Sequence, residues 1–457
     1  MMKIKLHWQI LIALVVAVFA GLFSMQGLLY PETAQSTAMG IDQKWLGFSF
    51  KPMYQEFGAI FISALKMIVV PLIAASIITS IAGMGTGRSL GRLGIKTLSF
   101  YMFTSLMAIL VGLMMVNLVK PGYIGDQPAS KIIKIQTSES EKIQKKIESQ
   151  KTGESPGGFF SRIIPQNILQ TASNNGKMLS LIVFCILFAV FMGRLKKSLF
   201  ETQMGFWQGL YEIMLSMTNF IMKFAPIGVL GLVAGVIAGL NPQDLIAMAG
   251  VVSAFFFTVL AALLFHALVV VPLILKFVAR VSPIAHFKAM RDALLMAFST
   301  ASSAATLPMT LNCVENNAKV SKQTASFVLP LGATVNMDGT ALYECVAVIF
   351  CVQIFGYDLS MGTQFMIVAL ALLTSIGVAG IPSASLVAIV VIAQQVDPTG
   401  KILAAMAIIY IVDRPLDMLR TSINVLSDST AAVTVAKLEG ETDVLKDVAL
   451  ESPKKAA

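Results

Sequence analysis

Long apolar runs decide what this chain can fold into. Six of them are clear, at about 8–30, 52–82, 94–119, 178–193, 204–240 and 245–278. Most are long enough for a membrane-spanning helix, which needs about 20 apolar residues. In lipid each segment must satisfy its own backbone polar groups, so such runs fold as helices. The composition agrees: 56% of residues are hydrophobic and only 13% are charged, against about 25% charged in soluble domains. By length alone, 457 residues would suggest two or three soluble domains; the runs instead imply an all-α polytopic membrane protein. The second and fifth exceed what a perpendicular helix needs, which implies tilting or kinking. Pro226 and Gly228 are the expected kink in the fifth.

The net charge is +9, but the basic residues lie mostly between apolar runs. A nucleic-acid surface would gather them on one face, so no nucleic-acid partner is expected and the charge is read as topology. Lys3 and Lys5 precede the first run, and Arg88, Arg92 and Lys96 follow the second. Arg194, Lys196 and Lys197 follow the fourth; Lys276, Arg280, Lys288 and Arg291 follow the sixth. Alternate loops are therefore basic, which places both termini in the cytoplasm. The N-terminus is read as a retained first helix, since its apolar run is long enough to span and carries no convincing small-residue cleavage site. Cys185, Cys313, Cys345 and Cys351 show no metal spacing and are expected to be packing residues. The hydrophilic insert 121–177 reads as a mobile extracytoplasmic loop, and the chain from about 437 as a polar cytoplasmic tail. No Asn-x-Ser/Thr sequon occurs, which suits a bacterial inner-membrane protein.

After residue 285 the pattern changes. Segment 285–311 is too short and too polar for an ordinary span and contains FSTASSAATLP. Segment 323–355 is interrupted by GATVNMDGT, and 364–396 by SIGVAGIPSAS. Paired interrupted segments point to a transport site. The run IVDRPLDMLRTSINVLSDSTA at 411–431 then carries Asp413, Asp417, Arg420, Asn424 and Asp428. At roughly 100° per residue their offsets fall on one stripe about 80° wide. Ionisable groups at membrane depth are costly and read as functional. Asp413 and Arg414 are given no role and are read as a pair at the entry to that site. Asn336 and Asp338, inside another apolar segment, cannot be left unpaired without a cost of several kcal/mol. Gly332 and Gly339 are expected to let the helix unwind there and present carbonyls. Hard cations favour carboxylate, carbonyl and amide oxygens, so sodium is a plausible occupant.

NMDGTALYE, STASSAATLP, SIGVAGIP and DMLRTSINVLSD together resemble the glutamate/aspartate transporter family, the dicarboxylate/amino acid:cation symporters. The likeness is most specific over 285–436 and extends to YMFTS in the third run. CVENN and LYE resemble the excitatory amino-acid transporters more than the archaeal aspartate transporters. The resemblance implies eight transmembrane helices and two opposed re-entrant helical hairpins, with inverted repeats as in an archaeal relative. Hairpin 1 would span about 285–311 with its tip at Ala301–Ala305; hairpin 2 would span about 364–396 with its tip at Gly377–Ser385. Helices 1–2 (8–85) and 4–5 (178–240) would form a scaffold. Helix 3 (91–120) and the core 245–436 would move against it in an elevator-like, alternating-access cycle. A homotrimer is implied.

The resemblance also implies roles. Arg420 would bind the substrate's side-chain carboxylate, with Thr340 nearby. Asp417 would take its ammonium, helped by Thr421. Asn424 would hold the α-carboxylate with Ser303 and the backbones of Ser302, Gly380 and Ile381. One sodium would use Asp428 with carbonyls of Gly332, Asn336 and Asn424. A second would use Tyr101, Thr104, Ser105, Asn336 and Asp338. A third would use carbonyls of Thr334, Ser375, Ile376 and Val378. Glu344 matches a proton-carrying glutamate. No cofactor is implied beyond sodium as the coupling ion.

Two positions depart from the family. Archaeal members carry an arginine at the hairpin 1 tip, where this chain has Ala301. The eukaryotic branch places it after the position of Asp417, where this chain has Met418; Arg414 lies one turn earlier. That arginine is tied to the return of the empty carrier, so potassium counter-transport is left open. The implied function is a sodium-coupled symporter of glutamate or aspartate, with protons as possible co-ions. Carriers of C4-dicarboxylates or neutral amino acids remain alternatives; the first has no use for Asp417, the second none for Arg420. A channel could use the same stripe. An enzyme would need a nucleophile with a base or a metal cluster, and the scattered His7, His266 and His286 suggest neither.

Overall fold

A computed structural model describes residues 6–24, 50–83, 88–133, 167, 168, 170, 178–238, 244–357, 359–375, 385–397 and 401–446. Among these the fold is all-helical, apart from one ribbon that pairs β1 (Tyr123–Ile124) with β2 (Gln127–Pro128).

The first runs become α1 (Leu6–Phe23), α2 (Phe50–Ala82), α3 (Arg88–Val119) and α4 (Met178–Met192). α2 runs through Pro71 without a break. The fifth run is two helices, α5 (Lys197–Met222) and α6 (Ala225–Ile237). The division falls where Pro226 enters the first turn of α6, a position at which a missing N–H costs nothing. Gly228 lies beyond that division, against the ring of Phe61 on α2. The sixth run is α7 (Asp244–Phe265), continued through two π turns, His266–Val270 and Leu275–Ala279. With those turns it is one of three helical stretches among the described residues that are long and apolar enough to cross a membrane; the others are Leu93–Val119 and Lys322–Ile354.

Beyond it, α8 (Pro283–Thr300) and α9 (Ser303–Asn312) pack against each other across a tight turn. Ala301 takes a left-handed conformation there, with φ 49°, and the Ser302 hydroxyl accepts from Ala305 N at 3.2 Å to cap α9. α10 (Lys322–Val335) and α11 (Asp338–Ile354) meet at a break over Asn336 and Met337. α12 (Met361–Ser375) and α13 (Ser385–Val396) flank the second interrupted motif. Of the Gly377–Ser385 tip, all but Ser385 lies outside the described residues. α14 (Met406–Leu438) carries the polar stripe and continues through Pro415.

The helices pack in two groups. α1, α4, α5 and α6 gather on α2 and on one another. α3, α7, α12, α13 and α14 pack around α11, every residue of which is buried, and α8, α9 and α10 join this group through α14. The groups touch where α6 and α1 meet α14, where α2 meets α13 and α10, and where α4 meets α12.

Two expectations about hydrophilic segments change. The start of the 121–177 insert is folded: Gly122 N donates to Gln353 Oε1 at 3.2 Å, and Gln353 Nε2 to Val116 O at 3.1 Å. Most of the remainder, 134–166 and 171–177, lies outside the described residues. The polar tail also begins by docking. Its Glu441 carboxylate accepts from Ser321 N at 2.8 Å and from the Ser321 and Thr324 hydroxyls at 2.7 Å each. Leu445 N donates to Ala318 O at 2.9 Å, and Lys96 on α3 pairs with Glu439 at 2.6 Å. Polar composition suggested solvation; here the Glu441 carboxylate satisfies the backbone N–H of Ser321, the residue that caps α10.

Candidate functional site

The break between α10 and α11 lies against α14. Asn424 Oδ1 accepts from Gly339 N at 2.8 Å and from Thr340 N at 3.3 Å, so a side chain of α14 caps the first turn of α11. Asn424 Nδ2 donates to the Thr340 hydroxyl at 3.1 Å. The two glycines of this region do not unwind it. Gly332 lies within α10, where its carbonyl accepts from Asn336 N at 2.9 Å. A Cβ on Gly332 would sit 2.5 Å from Asp428 Oδ1; one on Gly339 would sit 2.5 Å from the carbonyl oxygen of Arg420. Both positions are small because α14 passes there.

The charged stripe of α14 is buried. Asp413, Asp417, Arg420, Asn424 and Asp428 are each 4% exposed or less. Such burial requires pairing. Arg420 donates to Asp417 Oδ1 from Nε at 3.0 Å and from Nη2 at 2.7 Å. Its guanidinium lies over the ring of Tyr343, 4.5 Å from the centroid, a favourable cation–π placement. Its Nη1 is 3.8 Å from Asp413 Oδ1 and has no hydrogen bond among the described residues. Asp413 accepts from the Tyr343 hydroxyl at 2.8 Å. Arg414, expected to pair with Asp413, instead donates from Nη1 to Asp417 Oδ2 at 3.1 Å. The Thr421 hydroxyl donates to the Asp417 carbonyl at 2.7 Å, one turn back on its own helix.

A second polar cluster forms around Asp338. The Ser105 hydroxyl donates to Asp338 Oδ1 at 2.6 Å. Thr104 Oγ1 is 3.3 Å from Asn336 Oδ1, and Asn336 Nδ2 donates to Asp428 Oδ1 at 3.0 Å. Asn336 thus joins the carboxylate of α11 to that of α14. Tyr101, expected in the same set, turns its hydroxyl to Val328 O at 2.7 Å. It still lies beside Gly332, 2.9 Å from where a Cβ there would be. These oxygens suit a hard cation.

Other expected groups are more scattered. Ser302 and Ser303 are buried at the α8–α9 turn, and both of those helices pack against α14. The Thr334 hydroxyl donates to Leu331 O at 3.0 Å and the Ser375 hydroxyl to Leu372 O at 2.9 Å, each within its own helix. Ile376, Val378, Gly380 and Ile381 lie outside the described residues. Glu344 is fully buried; Oε2 accepts from the Thr374 hydroxyl at 2.8 Å, and Oε1 has no hydrogen bond among the described residues.

Sequence reasoning passes over two contributors. His266, fully buried at the start of the first π turn, places Nε2 3.3 Å from Asp338 Oδ2. Ser427 donates its hydroxyl to the same oxygen. Nothing in the sequence pairs His266 with a residue 72 positions later. Ser427 had a signal: it adjoins Asp428 on the stripe.

Comparison with known proteins places this arrangement in context. The sequence profile of the sodium:dicarboxylate symporter family matches residues 6–438. The proton/glutamate-aspartate symporter of Escherichia coli is 32% identical over 98% of this chain and 96% of its own. The proton/sodium-glutamate symport protein of Geobacillus stearothermophilus is 32% identical over 96% of each. Mouse excitatory amino acid transporter 3 is 32% identical over 87% of this chain and 82% of its own.

Proposed function

The chain belongs to the sodium:dicarboxylate symporter family, and from that premise we propose that it imports glutamate or aspartate together with sodium as a secondary active symporter. The family is one of membrane carriers, so no bond-making step is assigned. One observation carries the substrate reading: a buried arginine, paired to Asp417 and stacked on Tyr343, keeps one nitrogen without a hydrogen bond. A guanidinium fork suits a carboxylate, which it can hold through two bonds.

In this reading Arg420 takes the side-chain carboxylate beside Thr340, and Asp417 takes the ammonium. Asn424 takes the α-carboxylate with Ser302, Ser303 and the backbones of Gly380 and Ile381. Sodium occupies the Asp338 cluster (Tyr101, Thr104, Ser105, Asn336) and the Asp428 cluster (Gly332, Asn336, Asn424). The carbonyls of Thr334, Ser375, Ile376 and Val378 form a third site when the second hairpin closes. Glu344 carries a proton; its single neutral donor, Thr374, suits a group that changes charge. The names of the bacterial relatives, proton/glutamate-aspartate symporter and proton/sodium-glutamate symport protein, support both coupling ions.

We assign eight spans and two re-entrant hairpins, with both termini in the cytoplasm of a bacterial inner membrane. The group of helices around α11 moves against the group around α2, within a homotrimer. The division of packing between the groups supports that reading. Each sodium entering down 100 mV supplies about 2.3 kcal/mol, enough to concentrate a solute about fortyfold.

The test is uptake of labelled glutamate and aspartate into proteoliposomes with separately imposed sodium, proton and potassium gradients. Sodium-driven, saturable accumulation is expected. A linear, unsaturable flux would indicate a channel, and absence of uptake of both amino acids would overturn the assignment.

A further inference from the structure

We propose that Arg414 is an intramolecular competitor of the substrate's ammonium group, holding Asp417 in the empty site and releasing it when an amino acid binds. The proposal rests on the carrier function given above and adds a residue that sets which acidic solutes the site prefers.

Asp417 is shared between two guanidinium groups of its own helix. Arg420 holds Oδ1 through two nitrogens, at 2.7 and 3.0 Å. Arg414 holds Oδ2 through one, at 3.1 Å. The two grips differ in strength. Arg420 is 2% exposed, lies over Tyr343 and faces Asp413 as well. Arg414 is 13% exposed, and its Nε has no hydrogen bond among the described residues. A side chain tethered at one point, part-exposed, is the one that can leave. An ammonium has three donors and no acceptor, so its natural seat on Asp417 is the oxygen that Arg414 vacates.

Two classes of solute should then respond in opposite ways. An amino diacid must displace Arg414, and that cost weakens its binding. A diacid without an ammonium, such as succinate, leaves Arg414 in place and meets an aspartate that is already neutralised. Without Arg414, the amino diacid finds Oδ2 of Asp417 open to its ammonium, whereas succinate meets a carboxylate whose charge is offset by Arg420 alone and is repelled more strongly.

The experiment compares the full-length protein with Arg414→Gln and Arg414→Lys in proteoliposomes under a fixed sodium gradient. It reads the half-saturation concentration for aspartate and glutamate, and the succinate concentration that halves aspartate uptake. Arg414→Gln should lower the first and raise the second, each severalfold. Arg414→Lys keeps the cation and should stay near the parent for both. If Arg414→Gln is not monodisperse in detergent, Arg414→Met takes its place. Shifts in the same direction for both solutes, or no shift, would overturn the proposal. Failure of the carrier reading is distinguishable, because the unsubstituted protein would then accumulate neither amino acid.

Discussion

Arg420 sits where a bilayer-spanning protein normally places leucine: 2% exposed, with an aromatic ring beneath it and carboxylates on two sides. Truncating one partner of a buried charge pair costs about 2–5 kcal/mol, much of it from the partner left behind. Arg420→Ala should therefore remove uptake of acidic amino acids at any practical concentration and make neutral amino acids the better solutes; unchanged glutamate uptake would refute its role. Gly332 offers a more selective change. A methyl group there would meet Asp428 Oδ1 and the Tyr101 hydroxyl, so Gly332→Ala should raise the sodium concentration for half-maximal uptake more than the half-saturation concentration for glutamate. A sodium titration at saturating glutamate measures this. The spacing of Asp417, Arg420, Asn424 and Asp428 along one helix was legible in the sequence because helical periodicity alone places them together. His266 was not legible, because its partner comes from another helix and a lone histidine in an apolar run carries no spacing signal. His266→Ala should raise the sodium requirement, and His266→Gln, which can still donate to Asp338, should restore much of it.

At the level of elements, interruption of apolar pattern was the dependable sign. The breaks at Asn336–Met337 and at Ala301–Ser302 fall inside motifs that are polar where lipid would demand otherwise. What the sequence misassigned was the reason for the glycines. Gly332 and Gly339 read as points of unwinding, yet each marks the passage of α14, and a helix crossing is not encoded near the residues that permit it. The π turns of α7 were equally hidden, since one extra residue per turn leaves no trace in an apolar run; such turns often occur at functional sites. The tail shows the same limit. Glu441 braces Ser321, the residue that caps α10, from 120 positions away. Glu441→Ala takes the acceptor from Ser321 N and from the Ser321 and Thr324 hydroxyls, so it should lower the thermal midpoint of the purified protein, whereas Thr442→Ala, whose hydroxyl donates to Asp443, should not.

Across the whole molecule, two packing groups meet along limited seams, the broadest being α6 on α14 and α2 on α13, and the proposed function asks one group to slide past the other. The docked tail gives that idea an observable form. Residues 439–446 are fastened to α3, α10 and the end of α14 at once, so Asp443, 81% exposed, is in effect a flag bolted to the group around α11. Leu199, 55% exposed near the start of α5, stands on the other group. The four native cysteines are buried, so labels attached to Asp443→Cys and Leu199→Cys should report from those two places without removing them. Adding sodium and aspartate should change the label-to-label distance distribution; a distribution indifferent to both would mean that the groups travel together. A segment whose composition suggested only a loose end thus becomes a fixed reference mark from which the proposed displacement of one group against the other can be surveyed.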